Sequence, residues 1–266
     1  MNTKVWLKPV MIMSAMGLIS VQANAYEAGD WIARVGAITV APDEKSDSIV
    51  LPTAPAATIL PGVSVDNDTQ LSAMGVYMLS DSLCVEVLAA TPFSHDISLK
   101  GVNIPAGDTQ HLPPTVSVQW YPRGNTSGWQ PYLGLGLNYT TFFSEDPSQE
   151  LTDALGGLLG ANRVALRLED SFGLAAQAGV DIPLNDRWSL NMGVWWVDIN
   201  TTAKVKTDVG TVKFDVELDP MVYNIGIAYR FYSLCGVPNT TASPRFCGAF
   251  FSYTPLAMHI IGVSLH

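Results

Sequence analysis

From about residue 30 to residue 231 the chain alternates, with apolar side chains on one parity and smaller or polar ones on the other. In the last such run Met221, Tyr223, Ile225, Ile227, Tyr229 and Phe231 are apolar, while Val222, Asn224, Gly226, Ala228 and Arg230 between them are smaller or more polar. Leu133, Leu135, Leu137 and Tyr139 alternate in the same way with Tyr132, Gly134, Gly136 and Asn138. A period of two marks a strand with two unlike faces. These runs predict eight strands, at about 30–40, 66–79, 83–93, 110–121, 129–143, 167–182, 187–200 and 214–231.

The connections alternate too. Long ones at about 41–65, 94–109, 144–166 and 201–213 exchange with short ones at 80–82, 122–128 and 183–186. Long outer loops, short periplasmic turns and an even strand number are the pattern of an outer-membrane barrel. A soluble sandwich has no reason to keep this rhythm. In lipid every backbone donor and acceptor must be paired, so eight such strands have to close on themselves. The predicted fold is therefore all-β: an eight-stranded antiparallel up-and-down transmembrane β-barrel.

The aromatic residues sharpen that expectation. With strand one starting in the periplasm, Trp31, Tyr77, Trp120, Trp188, Tyr229 and Phe231 fall at one rim, and Phe93, Tyr139, Phe172, Trp196 and Tyr223 at the other. Trp188 and Trp196 are eight residues apart, as are Tyr223 and Phe231, a height of roughly 20 Å for tilted strands. Two aromatic girdles at the interfaces of a lipid-facing band follow.

Composition adds a location and removes some functions. Residues 1–25 read as a secretory signal: Lys4 and Lys8, an apolar core, then "ANA" at 23–25, with cleavage expected after Ala25. The chain beyond it carries 12 basic and 24 acidic residues, a net charge near −12, which excludes the basic footprint of a nucleic-acid binder. Cys84 reads as a small buried apolar side chain, and Cys235 and Cys247 lie beyond the last strand. No metal-ligand spacing appears among the histidines at 95, 111, 259 and 266. His95 beside Asp96, and His111, come without a serine in a recognisable motif, so neither an enzyme nor a cofactor is expected.

Long distinctive strings carry a family resemblance over residues 26–231. They include "AGDWIARVGAITVAP", "VEVLAATPFSHDISL", "HLPPTVSVQWY", "PYLGLGLNYTTFF" and "LDPMVYNIGIAYRF". In these the chain resembles the outer membrane protein W (OmpW) family of small eight-stranded barrels. The resemblance implies a largely hydrophobic lumen, proposed to pass small hydrophobic solutes across the outer membrane. It also implies a lumen Leu and Trp that narrow the channel, matched here by Leu88 and Trp195. The partners it implies are outer-membrane lipids, hydrophobic solutes and the barrel assembly machinery, engaged through the strand ending at Phe231.

Parity alone places Leu88 and Trp195 inside, as a gate or as plain filler of a lumen with room for little beyond side chains. Arg34, Glu86, Asp181 and Arg230 are inward by the same rule, and charges there must pair or be hydrated. A structural polar plug is the expectation; it blocks an aqueous pore and suits a hydrophobic passage opening sideways. Inward glycines, among them Gly179 and Gly193, either make space or relieve a tightly curved sheet. If the inner wall is instead wholly polar, a closed structural or surface-receptor barrel with partner-binding loops is the alternative. "ELTDALGGLLGAN" in the third long loop reads as a short helix or an apolar flap, weakened by its two central glycines.

Residues 232–266 carry one charged side chain, Arg245, against 35 in the preceding 206 residues. So sharp a break sets the segment apart from the barrel, as read-through or a shifted frame after Phe231. The alternative is a periplasmic appendix with a Cys235–Cys247 link.

Overall fold

The computed structural model describes residues 25–232 apart from 47–48, 52–57, 61, 101–103 and 125. Residues 1–24, all but the last of the expected signal segment 1–25, and the tail from residue 233, with its two cysteines, lie outside the described residues.

Eight strands close a barrel: β1 Trp31–Ala41, β2 Asp68–Met78, β3 Leu83–Ala90, β4 Thr115–Trp120, β5 Gln130–Pro147, β6 Ser171–Pro183, β7 Trp188–Val197 and β8 Met221–Phe231. All neighbours are antiparallel, and β1 meets β8 without a slip from Trp31↔Phe231 to Ala41↔Met221. The predicted eight-stranded barrel is the observed one. Among the described residues no helix is long and apolar enough to cross a membrane.

The sorting of side chains follows the pleat. Leu135, Leu174, Phe172 and Ile225 are exposed on the outside. Arg34, Glu86, Gln119, Gln177 and Trp195 are buried within. Apolar outside and polar inside inverts a soluble protein, and it is the arrangement that a hydrocarbon surround selects. At the short-turn rim the Trp31 and Tyr77 rings lie 4.8 Å apart, and Trp188 and Tyr229 also 4.8 Å. Tyr229 further accepts a 2.8 Å hydrogen bond from Arg187, giving the ring a polar anchor beside an apolar body.

The long connections are not loops. They build a second storey on the barrel's outer end. Val164–Leu168, Asn200–Thr207, Gly210–Glu217 and Lys45–Ser46 form a four-stranded sheet. Val63–Val65, Phe93–Leu99 and Ile104–Leu112 continue from the far half of β5. Helix α1, Gln149–Leu159, covers part of the space between. Ser148 caps it by accepting the Leu151 N–H at 2.9 Å, and Gly160 ends it at φ 72°. Its Leu151 and Leu155 are buried, which stabilises the helix despite Gly156 and Gly157.

Four predicted strands are each two: the run at 167–182 breaks at Glu169–Asp170, and three others break beside a proline. The run at 83–93 stops at Ala90, that at 110–121 breaks at Pro113–Pro114, and that at 214–231 breaks at Asp219–Pro220. Proline cannot donate to a ladder, and Asp219 sits at φ 32°, so none of these points can continue a strand. One girdle residue moves with them. Pairing of β3 with β4 aligns Leu88 with Thr115, but beyond the break Phe93 aligns with His111, one residue out of step. A one-residue slip exchanges faces. Phe93 is therefore completely buried, an interior ring and not a member of the outer girdle.

Because Leu135 is 73% exposed at mid-height of β5, Leu135→Arg places a charge in the hydrocarbon. Urea unfolding in liposomes should then show a loss of about 2–4 kcal/mol, while a change below about 0.5 kcal/mol would mean that this face does not meet lipid.

Candidate functional site

The lumen has two levels of opposite chemistry. Nearer the short turns, Arg34 projects from β1 and its guanidinium meets Glu86 of β3 at 2.5 Å and Asp181 of β6 at 2.6 Å. The same guanidinium donates to Tyr121 Oη at 2.5 Å and lies 4.9 Å from the centre of the Tyr132 ring. Around this core Gln177 bridges Glu86 and Gln119, at 3.2 and 3.0 Å. Asn191 donates to Asp181 at 2.8 Å and to Tyr132 Oη at 3.1 Å. Asn224 donates to Asn191 at 3.1 Å and accepts from Ser72 at 2.8 Å. Each of the eight strands contributes a side chain, so the network crosses the whole lumen.

One cation between two carboxylates, all three about 1% exposed, is stable only because the remaining lone pairs are also occupied. Arg34, Glu86, Asp181 and Arg230 are all buried. Arg34 takes both Glu86 and Asp181, while Arg230 forms its ion pair with Asp30 at 2.5 Å. Asp30 stands at the edge of the first predicted run and was not singled out as a partner; Tyr26, which donates to Asp181 at 2.9 Å, precedes that run. No period-two signal covers residues before a strand begins.

Above the network the wall turns apolar. Leu88 and Trp195 are both buried and line one small cavity of about 20 Å³, with Ile38, Phe93, Val197 and Val222. Trp195 lies flat against its own strand. A Cβ on Gly193 would stand 2.7 Å from the indole, so the ring occupies space that any other residue at 193 would fill. Gly179 does the same for Tyr132, at 2.4 Å. At both positions the inward glycine makes room for a neighbouring ring.

Above this level, enclosed by the second storey, is a larger cavity of about 80 Å³. Its lining includes Val40, Ile97, Leu151, Leu166, Phe214 and Val216, and no charged side chain. Val40, His111, Ile199 and Pro220 line both cavities, which places the two side by side. His95 and His111 stack in this wall with ring centres 4.9 Å apart. Burial lowers the pKa of both, that of His111 to about 3, so both rings are neutral at physiological pH.

The wall beside these cavities is discontinuous. Regular pairing of β3 with β4 ends at Leu88–Thr115 and resumes only at Phe93–His111. Between lie Pro92 on one side and Pro113 and Pro114 on the other, while the pairing of 111–120 with β5 runs through in one register. The seam is therefore confined to the β3–β4 side.

The OmpW family model matches residues 27–231. This chain belongs to the OmpW family. It is 42% identical to outer membrane protein W of Vibrio cholerae over 218 residues, covering 80% of this chain and 94% of that one. It is 40% identical to the Escherichia coli protein of the same name over 222 residues, covering 84% and 98%. The crystal structure of the outer membrane protein OprG from Pseudomonas aeruginosa superposes with a TM-score of 0.69 at 40% identity, covering 80% of this chain and all of that one. Members of the OmpW family are outer-membrane barrels, and this chain is one: its location is the outer membrane.

Arg34→Met leaves Glu86 and Asp181 buried without a cation. The midpoint of urea unfolding should fall by the equivalent of about 3–5 kcal/mol, and an unchanged midpoint would show that water already screens these carboxylates.

Proposed function

We propose that this OmpW-family barrel is a narrow channel for small hydrophobic molecules. Solutes pass from the outer storey through the uncharged chamber, past Leu88 and Trp195, and leave sideways through the β3–β4 seam into the bilayer. A single observation carries this reading: a chamber without charged lining rests on an ionic network that spans the lumen. An ion or a sugar finds no hydrated route through such an interior, whereas an apolar solute loses nothing on entering it. The seam offers that solute a way out that does not cross the network. No catalytic step belongs to this role.

Leu88 and Trp195 act in it as the constriction. The cavity they line holds about 20 Å³, enough for one water molecule, so passage needs the indole or the leucine to move. That same tightness favours the second reading, a closed barrel whose outer storey binds a partner. The two differ in what flows. Assembly completes the proposal: export directed by residues 1–25, then recognition of the strand ending at Phe231 by the barrel assembly machinery.

Reconstituted into vesicles, the protein should take up a hydrophobic dye while single-channel recordings show no water-filled conductance. Trp195→Ala should speed uptake. Replacing Pro113 and Pro114 together by valine, which restores two ladder donors, should slow it. Absence of uptake in both the wild type and Trp195→Ala would remove the channel in favour of the closed barrel.

A further inference from the structure

Two polar residues of the 80 Å³ chamber, Thr201 and Thr207, donate their hydroxyls to the Glu169 and Gly210 carbonyls, which leaves one polar patch. His95, Thr109 and His111 form it, each 3–4% exposed. His95 Nε2, Thr109 Oγ1 and His111 Nδ1 are buried without a hydrogen-bond partner. The three belong together. His95 and Thr109 are direct cross-strand partners, the His95 and His111 rings stack, and His111 follows Thr109 by two residues on the same face. Buried polar atoms are nearly always satisfied, and three neighbours facing one apolar cavity point to a ligand that satisfies them.

We propose that this patch recognises the hydroxyl group of a neutral amphiphile, such as a medium-chain alcohol, whose hydrocarbon tail fills the chamber. The proposal rests on the channel reading and narrows its substrate class. The chemistry of the acceptor decides the class. His95 Nδ1 lies 2.5 Å from the Asp66 carbonyl oxygen, which can only accept, so Nδ1 carries the proton. His95 Nε2 is then a bare acceptor and needs a donor. Thr109 both donates and accepts. A hydroxyl group answers both at once. A hydrocarbon answers neither, and a ketone or ester can only accept. A carboxylate would bring a charge among neutral imidazoles and aliphatic side chains with no cation in the lining.

The test uses the full chain in lipid nanodiscs, labelled with ¹⁵N-histidine, with 1-decanol and n-decane as probes. Decanol should move the His95 Nε2 resonance by several ppm and bind about tenfold more tightly than decane, the worth of one good hydrogen bond. Thr109→Val and His95→Phe should each bring decanol affinity down towards that of decane and leave decane binding unchanged. Thr109→Val preserves shape if the histidine variant fails to fold. Equal binding of both probes with an unmoved His95 resonance would overturn the inference and leave the channel standing. So would an ordered water that stays on His95 in the presence of decanol. If neither probe binds and vesicles take up no dye, the channel reading fails and this inference with it.

Discussion

In hydrocarbon a backbone N–H or C=O has no water to fall back on, and each one left unpaired costs several kcal/mol. The rest of this structure depends on that constraint. It forces the eleven-residue contact of β1 with β8, from Trp31↔Phe231 to Ala41↔Met221, because any open edge would face lipid. Closure in turn fixes which parity faces inward on every strand at once. Arg34, Glu86 and Asp181 meet because they lie on the inner parity of strands one, three and six at one level. No local preference of those segments brings them together.

The interior divides because a buried charge and an empty apolar space have incompatible needs. Charges in low dielectric demand partners for every lone pair, and the side chains that supply them (Gln119, Gln177, Asn191, Tyr121) fill the cross-section as they do so. The largest space, about 80 Å³, lies where no charge has to be compensated. Such space is widest in the upper lumen and the storey above it, where aliphatic and aromatic residues leave gaps whose unmet hydrogen bonds are at His95, Thr109, His111, Trp195 and Asp219. Burial that holds the imidazoles neutral belongs to the same logic.

Much of this was legible in the sequence, because a barrel states itself in period two. Strand number, the facing of Leu135 or Trp195, and the interior place of Arg34 and Glu86 all follow from parity. What parity cannot see is partner choice. Arg230 shares a rim with Asp181 but pairs with Asp30, the first residue of the first run. Parity also fails at a slip: Phe93 keeps the outward phase of β3 on paper, yet one extra residue between Leu88 and Phe93, relative to the facing strand, turns it inward. The second storey was missed for a related reason. Its strands are short and polar on the solvent side, and its apolar faces (Ile97, Leu99, Val205, Val212) look like scattered loop residues until α1 and two sheets close over them.

A lumen crossed by an ionic network is either a dead end or a side exit, and the side exit must open a ladder without orphaning backbone groups. The sequence "LPPT" at 112–115 does this. Pro113 and Pro114 have no N–H to leave unpaired. The carbonyl of Pro114 accepts from the Tyr139 N–H at 3.1 Å, and that of Pro113 from Thr115 Oγ1 at 3.1 Å and Asn138 Nδ2 at 3.2 Å. Across the seam Thr91 donates its N–H to Leu71 of β2 at 2.9 Å, and Pro92 again has none. These groups on the two lips are thus satisfied without a bond across the seam. The seam costs little to keep open, which is the physical condition that a lateral passage for an apolar solute has to meet.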